Sequence, residues 1–231
     1  MDLIETQLQN PMKHWYYKYK YSFIKKLIVK YSNNFKVLVD IGAGSAVFSR
    51  QLFKDFPHVS ITAVDIGYGT EQLDDSSHGV KYLKELRNSD ADIYILTDVL
   101  EHILDDSSFL QNYAGMAKND SLFIITVPAM QSLWSGHDLF LKHYRRYSLE
   151  NLKQLITTSN LHLLEIRYLY SLLFPIAWIR RRFIIKSDKK SELREFGFCI
   201  NMSIRTLLFL DAHLFRKLNF GISLIAVAKK I

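Results

Sequence analysis

The chain has 231 residues, 48% of them hydrophobic and 13% aromatic, a composition that excludes a disordered chain and supplies a core for one large domain or a domain with an excursion. Its formal charge of +7 points to an acidic partner, a membrane surface or nucleic acid without choosing among them. The single cysteine, Cys199, excludes an intrachain disulfide framework and implies a reducing compartment; between Phe198 and Ile200 it reads as buried filler.

Asp2 and Glu5 stand where a secretory signal would carry basic residues, and no apolar core follows them, so a cytoplasmic location is expected. Residues 11 to 32 interleave aromatic and basic side chains (Trp15, Tyr16, Tyr17, Lys18, Tyr19, Lys20, Tyr21) and continue into Phe23, Ile24, Leu27 and Ile28 at helical spacing. The spacing predicts one helix in an N-terminal unit spanning 1–34. Its cationic, aromatic half suits packing against a sheet edge, stacking on nucleic acid or an interfacial position.

An apolar run, Val37-Leu38-Val39, then leads into Asp40, Gly42 and Gly44, and Val47, Phe48 and Leu52 open a helical pattern. This reads as strand, tight turn, helix, with two glycines that let a ligand lie against the backbone. Dinucleotide-binding and adenosyl-binding folds both use such a turn. Asp40 would repel a pyrophosphate but suits a cationic ligand. About one β-α-β unit later, Ile61 to Val64 form a second apolar strand, ending in Asp65, an acid placed for ribose hydroxyls. Here the chain resembles a class I S-adenosylmethionine-dependent methyltransferase, whose first motif runs acid-x-Gly-x-Gly. It departs at Ala46, where the family often has a third glycine.

The resemblance implies an α/β fold: a seven-stranded Rossmann-like sheet with helices on both faces, an antiparallel last strand and a helical insertion between strands 6 and 7. It also assigns S-adenosylmethionine to Asp40, Gly42, Ala43, Gly44, Asp65, Ile66, Asp98 and Val99. The loop-rich passage through Asp74, Asp75, Ser76 and Ser77 carries no clear element. Asp92 to Thr97 form the next strand, and Asp98-Val99-Leu100-Glu101-His102 after it is a frequent form of the family's motif following its fourth strand. Glu101 and His102 are expected to begin the following helix. In a bacterial subgroup that the chain resembles, His14-Trp15-Tyr16 would act as a lid.

Asp105 and Asp106 suit a helix N-terminus, and Ser121 to Pro128 form another strand, ended by proline. The segment after it is the richest in chemistry: Leu133-Trp134-Ser135-Gly136-His137-Asp138, then His143-Tyr144-Arg145-Arg146-Tyr147. It resembles a Leu-Trp-Ser-x-His-Asp and His-x-Arg-Arg-Tyr segment of the same subgroup. Ser148 caps a helix, Leu161 to Ile166 form a sixth strand and Ile222 to Ala228 a seventh. The core is therefore 35–170 with 220–231, and 171–219 is a basic, amphipathic insertion. From Ser171 to Asn219 ten Lys or Arg face four acids, which accounts for +6 of the net charge. Its apolar run from Tyr168 to Ile179 is too short to span a bilayer. With Trp178 beside Arg180, Arg181 and Arg182, and a second amphipathic segment through Ile204, Leu207, Leu208 and Leu214, it suits shallow insertion at an anionic membrane surface. The alternative is a helical cap packed on the sheet or on a second subunit.

Because the sulfonium is its own leaving group, the protein has to align an acceptor and remove a hydroxyl proton. His137 or His143 is the expected base, with Asp138 orienting the imidazole. Trp15, Trp134, Arg145 and Arg146 are expected at the acceptor, the arginines on a phosphate or carboxylate. No residue is assigned to a metal. The preferred reading is methyl transfer, to oxygen, of a small-molecule or lipid-linked acceptor such as a glycan carrier. A nucleic-acid methyltransferase is disfavoured because the charge sits in an apolar insertion and no Asn-Pro-Pro-Tyr-type motif follows Asp98. A non-catalytic adenosyl-binding module at a membrane is the third reading, and an NAD-dependent enzyme a distant fourth.

Overall fold

Largely apolar runs of four to nine residues, two of them buried on both faces, pair into a single sheet. Its strands are β1 (Val37–Ile41), β2 (Ser60–Val64), β3 (Val80–Leu83, the shortest), β4 (Ile93–Thr97), β5 (Leu122–Pro128), β6 (Leu161–Leu169) and β7 (Ser223–Lys230), in the order β3-β2-β1-β4-β5-β7-β6. The computed structural model describes residues 11–32, 34–70, 79–184, 198–213 and 218–231. The expected loop through Asp74 to Ser77, the charges between 185 and 197, and Leu214, Arg216 and Lys217 lie outside them, as does the side chain of Cys199.

Strands β1 to β5 pair in parallel, and β7 runs antiparallel to both β5 and β6. The seven-stranded Rossmann-like architecture read from the sequence is the one observed. β4 and β5 are buried along their whole length, the signature of a parallel sheet covered on both faces. One core cluster joins Ile24, Ile28, Leu38, Leu52 and Ile61; the other joins Tyr94, Leu96, Phe123, Leu152 and Ala226 on the opposite face.

The helices are α1 (Trp15–Tyr31), α2 (Val47–Asp55), α3 (Asp106–Met116), α4 (Gly136–Phe140), α5 (Leu149–Thr158), α6 (Phe174–Ile179) and α7 (Phe198–His213). His14 caps α1 through Nδ1, which accepts from the Tyr16 amide, and a 3-10 turn at Pro11–Lys13 precedes it. The N-terminal helix is part of the core: Tyr17, Tyr19, Tyr21, Phe23, Ile24, Leu27 and Ile28 are buried in the first core cluster. Glu101 and His102 do not begin a helix as expected. They belong to a 3-10 turn, Leu100–His102, and α3 starts later, where Asp105 accepts from the Ser108 amide. The sequence reading also missed β3.

The topology decides where a ligand meets the chain. Since β1 to β6 run the same way, their carboxyl ends share one edge, the usual ligand edge of an open α/β sheet. The insertion leaves at Leu169 and returns at Ser223, which are paired to each other, so both its ends sit on that edge. Asp211 of α7 anchors it: one oxygen accepts from the Tyr19 hydroxyl at 2.7 Å and the other from the Leu172 amide at 3.1 Å. Among the described residues no helix is long and apolar enough to cross a membrane.

Candidate functional site

At the end of β1 the chain turns sharply. Gly42 and Gly44 take φ of 65° and 51°, in the left-handed region that glycine enters without penalty. A Cβ at Gly42 would lie 2.6 Å from Val99 Cγ2, so the turns after β1 and β4 meet where only a bare backbone fits. Ala43, buried, donates its amide to Val64 O, and Ala46 takes the left-handed conformation (φ 52°) at the position where the resemblance expected glycine.

Two acids flank this turn. Asp40 is 2% exposed and accepts from the Ser49 hydroxyl of α2 at 2.5 Å. Burial pushes its carboxyl up to about 6, against the pull of Ser49. Asp65 is half-buried and accepts from the Gly44 amide at 2.7 Å and the Gly67 amide at 2.8 Å, which closes the turn over β2. Each oxygen keeps a lone pair for a further donor. Ile66, next in the chain, is 90% exposed, an apolar side chain left at the rim.

Asp98, in the left-handed region at φ 54°, is engaged on both oxygens. Thr126 Oγ1 donates to one at 3.0 Å, and the other pairs with the ammonium of Lys20. Lys20 is fully buried and also donates to the Tyr16 hydroxyl at 2.7 Å. Burial works against both charges, yet each outweighs it for the other: Lys20 is held above its usual range and Asp98 below its own. The sequence reading put Asp98 in the site but not its partner. The missed signal is spacing, since Lys20 falls on the stripe of Ile24, Leu27 and Ile28 and so faces inward. The Tyr16 ring stacks on Tyr170, whose hydroxyl donates to Tyr16 O at 2.8 Å.

The third group comes from the segment after β5. Ser135 and Asp138 form a reciprocal cap on α4, with the Ser135 amide donating to Asp138 Oδ2 at 2.9 Å. The same carboxylate, wholly buried, meets His143 Nδ1 at 3.0 Å and accepts from Arg146 Nε at 2.7 Å. Those partners overcome burial and hold Asp138 well below the usual carboxylate range. Of the two expected bases, His143 is therefore the one that Asp138 orients; His137 gives its amide to Ser135 Oγ. The two arginines expected at the acceptor point in different directions. Arg146 turns inward to Asp138 and Ala129 O, while Arg145 turns outward to Asp106 and Leu104 O. Trp15 is half-buried, 6.1 Å from the Tyr170 ring, and Trp134 follows the Gln131–Leu133 turn, where Arg181 of the insertion donates to Leu133 O at 2.5 Å.

Glu101 is a further residue whose importance the sequence hid. It is wholly buried, neither carboxylate oxygen has a hydrogen-bond partner among the described residues, and burial and the Asp98 charge push its pKa well up. The Tyr144 amide donates to its carbonyl at 2.8 Å, which pins the His143 segment against the 3-10 turn. His102 lies next to it, with its ring centroid 4.6 Å from that of His143.

A family model described as a methyltransferase domain matches residues 12–166. A search of curated proteins returns no match. Several solved structures share the fold. Phosphoethanolamine N-methyltransferase 2 of Haemonchus contortus, solved with S-adenosyl-L-methionine, is 15% identical with a TM-score of 0.58, over 91% of this chain and 52% of that one. This chain thus spans about half the length of the nematode protein. A SAM-dependent methyltransferase from Archaeoglobus fulgidus is 17% identical with a TM-score of 0.54, over 94% of this chain and 100% of that one. The 4+2 cyclase SpnF is 11% identical with a TM-score of 0.55, over 90% and 80%. At these identities the likeness concerns the fold alone.

Proposed function

Since the chain belongs to the methyltransferase-domain family, we propose that it transfers the methyl group of S-adenosylmethionine to an oxygen of an amphiphilic or lipid-linked acceptor. The observation that carries the donor half is Asp40. Among the described residues no cationic side chain is paired with its buried carboxylate, which lies directly under the glycine turn, and an ionised carboxylate so placed is stabilised by a positively charged ligand. In this reading Asp40, Gly42, Ala43 and Gly44 face the amino acid end of the donor. Asp65 takes the ribose hydroxyls, and Ile66 lays its exposed side chain along the adenine. Val99 and the Lys20-neutralised Asp98 shape the methionine end.

The sulfonium supplies the leaving group. The chain's own work is to hold the acceptor in line and to assist loss of its proton. His143 is suited to that work: with Nδ1–H committed to an ionised Asp138, Nε2 keeps a lone pair that can accept a proton. Trp15 and Trp134 supply apolar surface for the acceptor.

The amphiphilic half rests on the insertion. No residue of α6 is buried, with Ile176 at 59%, Ile179 at 50% and Trp178 at 37% exposure, and Arg180 and the exposed Arg182 follow, while Arg181 between them turns in to Leu133 O. Phe209 and Met202 of α7 are exposed as well. An apolar face beside an arginine cluster suits an anionic bilayer surface, here the inner face of the cell membrane, and that face belongs to the segment rooted at the ligand edge.

Calorimetry with S-adenosylhomocysteine tests the donor half: saturable binding in the micromolar range is expected, and no heat at millimolar ligand overturns it. Flotation tests the acceptor half. The chain is expected to rise with anionic vesicles, less with zwitterionic ones, and to lose most of that binding in Ile176→Ser/Trp178→Ser. Preference for an oligonucleotide over vesicles would overturn it.

A further inference from the structure

Glu101, His102 and His143 each place one ligand-capable atom within 4.8 Å of the others'. A glutamate with no exposure and, among the described residues, no hydrogen bond to either oxygen is anomalous, because a buried polar group normally has a partner. What would satisfy it is a cation held jointly with the two imidazoles. We infer that these three side chains form a binding site for a divalent first-row transition-metal ion.

Three features support the inference beyond proximity. The first is the donor set: two imidazoles and one carboxylate favour zinc, manganese or iron over magnesium and calcium, which take oxygen ligands. The second is the outer partner of His143. Asp138 meets Nδ1 at 3.0 Å and is itself fixed by Arg146, the carboxylate-on-imidazole arrangement that fixes the tautomer and frees Nε2 for a metal. The third is rigidity: Glu101 and His102 share one short turn, and the Tyr144 amide ties the neighbour of His143 to Glu101 O.

Three protein ligands leave a coordination position open. The role of that position rests on the methyl-transfer reading, whereas the binding claim rests on the side chains alone. An acceptor hydroxyl on the ion is acidified, loses its proton to solvent, and its oxygen attacks the methyl carbon. The C–O bond forms as the S–C bond breaks, and the electron pair returns to sulfur. The products are the methyl ether, neutral S-adenosylhomocysteine and one proton. His143 then assists the acceptor through the ion rather than by taking the proton itself.

The test uses the tag-free full chain, stripped with chelator and titrated with Zn2+, Mn2+ and Mg2+ by calorimetry, with Co2+ absorption as a spectroscopic probe. One equivalent of Zn2+ or Co2+ is expected, with Mg2+ much weaker. Glu101→Gln and His102→Ala are expected to abolish the cobalt bands, and Asp138→Asn to weaken binding by about 10–100-fold. His102→Ala removes a partly exposed ring, and circular dichroism checks that each variant folds. Absence of stoichiometric metal, or equal affinity in folded His102→Ala, overturns the site. A parallel S-adenosylhomocysteine titration keeps the two claims apart: ligand binding without metal sinks only the site, and metal binding without ligand upholds the site and sinks only the donor reading.

Discussion

Asp40→Asn separates the energetic claim from the functional one. The native carboxyl titrates at about 6 where an ordinary aspartate titrates at 3.8, so about two pH units separate folded from unfolded chain. At about 1.4 kcal/mol per unit, the ionised group costs the fold about 3 kcal/mol at neutral pH. The sign follows from proton counting. Between the two values the native state binds the proton and the unfolded state does not, so stability from this group grows as pH falls through 6 and is lost as pH rises. Asparagine keeps an oxygen for the Ser49 hydroxyl but adds buried N–H groups, which offset about 1–3 kcal/mol of the gain. Near pH 8 the variant should match or modestly exceed the wild type. The wild type should then gain about 2 kcal/mol on it by about pH 4.5. Denaturant melts across that range measure the difference directly, and S-adenosylhomocysteine affinity should drop at least about tenfold, the loss of a charge-assisted contact. A pH-independent stability difference would refute the buried-charge reasoning, and unchanged affinity would refute the role of Asp40 in the donor pocket.

Other substitutions test the remaining contacts. Lys20→Met leaves Asp98 without its cation and should cost about 2–4 kcal/mol, at the low end for a buried pair because the Asp98 side chain is 27% exposed. Adding Asp98→Asn should recover most of that. Because the Asp98 carboxyl is held below its usual range, the penalty is full at neutral pH and shrinks as pH falls through the native value, which acid titration of both proteins would reveal. Gly42→Ala combines left-handed strain of about 1–2 kcal/mol with a 2.6 Å contact on Val99. Adding Val99→Ala in a double variant should relieve the contact but not the strain, as thermal melts would show. Asp211→Ala strands the Tyr19 hydroxyl and the Leu172 amide, so a loss of about 2–3 kcal/mol is expected. Tyr19→Phe in that background should then cost little.

The sheet was legible because its strands announce themselves: Val37 to Val39, Ile61 to Val64 and Leu122 to Pro128 are predominantly apolar runs, broken only by Thr62 and Thr126, and an acid ends each of the first two. β3 escaped because it is a run of only four residues that Lys81 interrupts and Lys84 follows. Strand ends were also enough to place Asp40, Asp65 and Asp98 on one edge. What the sequence withheld was direction. Arg145 and Arg146 are neighbours that point apart. Asp138 meets His143 five residues on rather than the adjacent His137, since the chain turns back after α4 and the His143 amide donates to Asp138 O at 2.9 Å. Lys20 and Glu101 hid for a related reason: charge reads as exposed in a sequence, and only the fold reveals that these two are not.

Of the seven non-glycine residues at positive φ among the described residues, four lie at the same edge, while Asp120 and Asn160 precede β5 and β6. Among the described residues, Ala46, Asp98, Met130 and Tyr170 are non-glycine residues at positive φ that follow β1, β4, β5 and β6 at their carboxyl ends. Each conformation costs of the order of 1–3 kcal/mol and persists only where surrounding contacts impose it. Those contacts are visible: Ala46 N donates to Ala43 O, Asp98 to Thr126 O, Met130 to Tyr147 O, and Tyr170 stacks on Tyr16. A sheet selected for stability alone would have glycine or asparagine at such positions. Ala46 is the sharpest case, since glycine would relieve the strain there but give up a methyl group that is 1% exposed and packed in the core. The two effects, about 1–2 kcal/mol of strain against about 0.8 for a buried methyl and about 0.4–1 for chain entropy, nearly cancel. The departure from the family's third glycine therefore leaves the turn's geometry intact. It is no reason to read this chain as a module that has lost its donor.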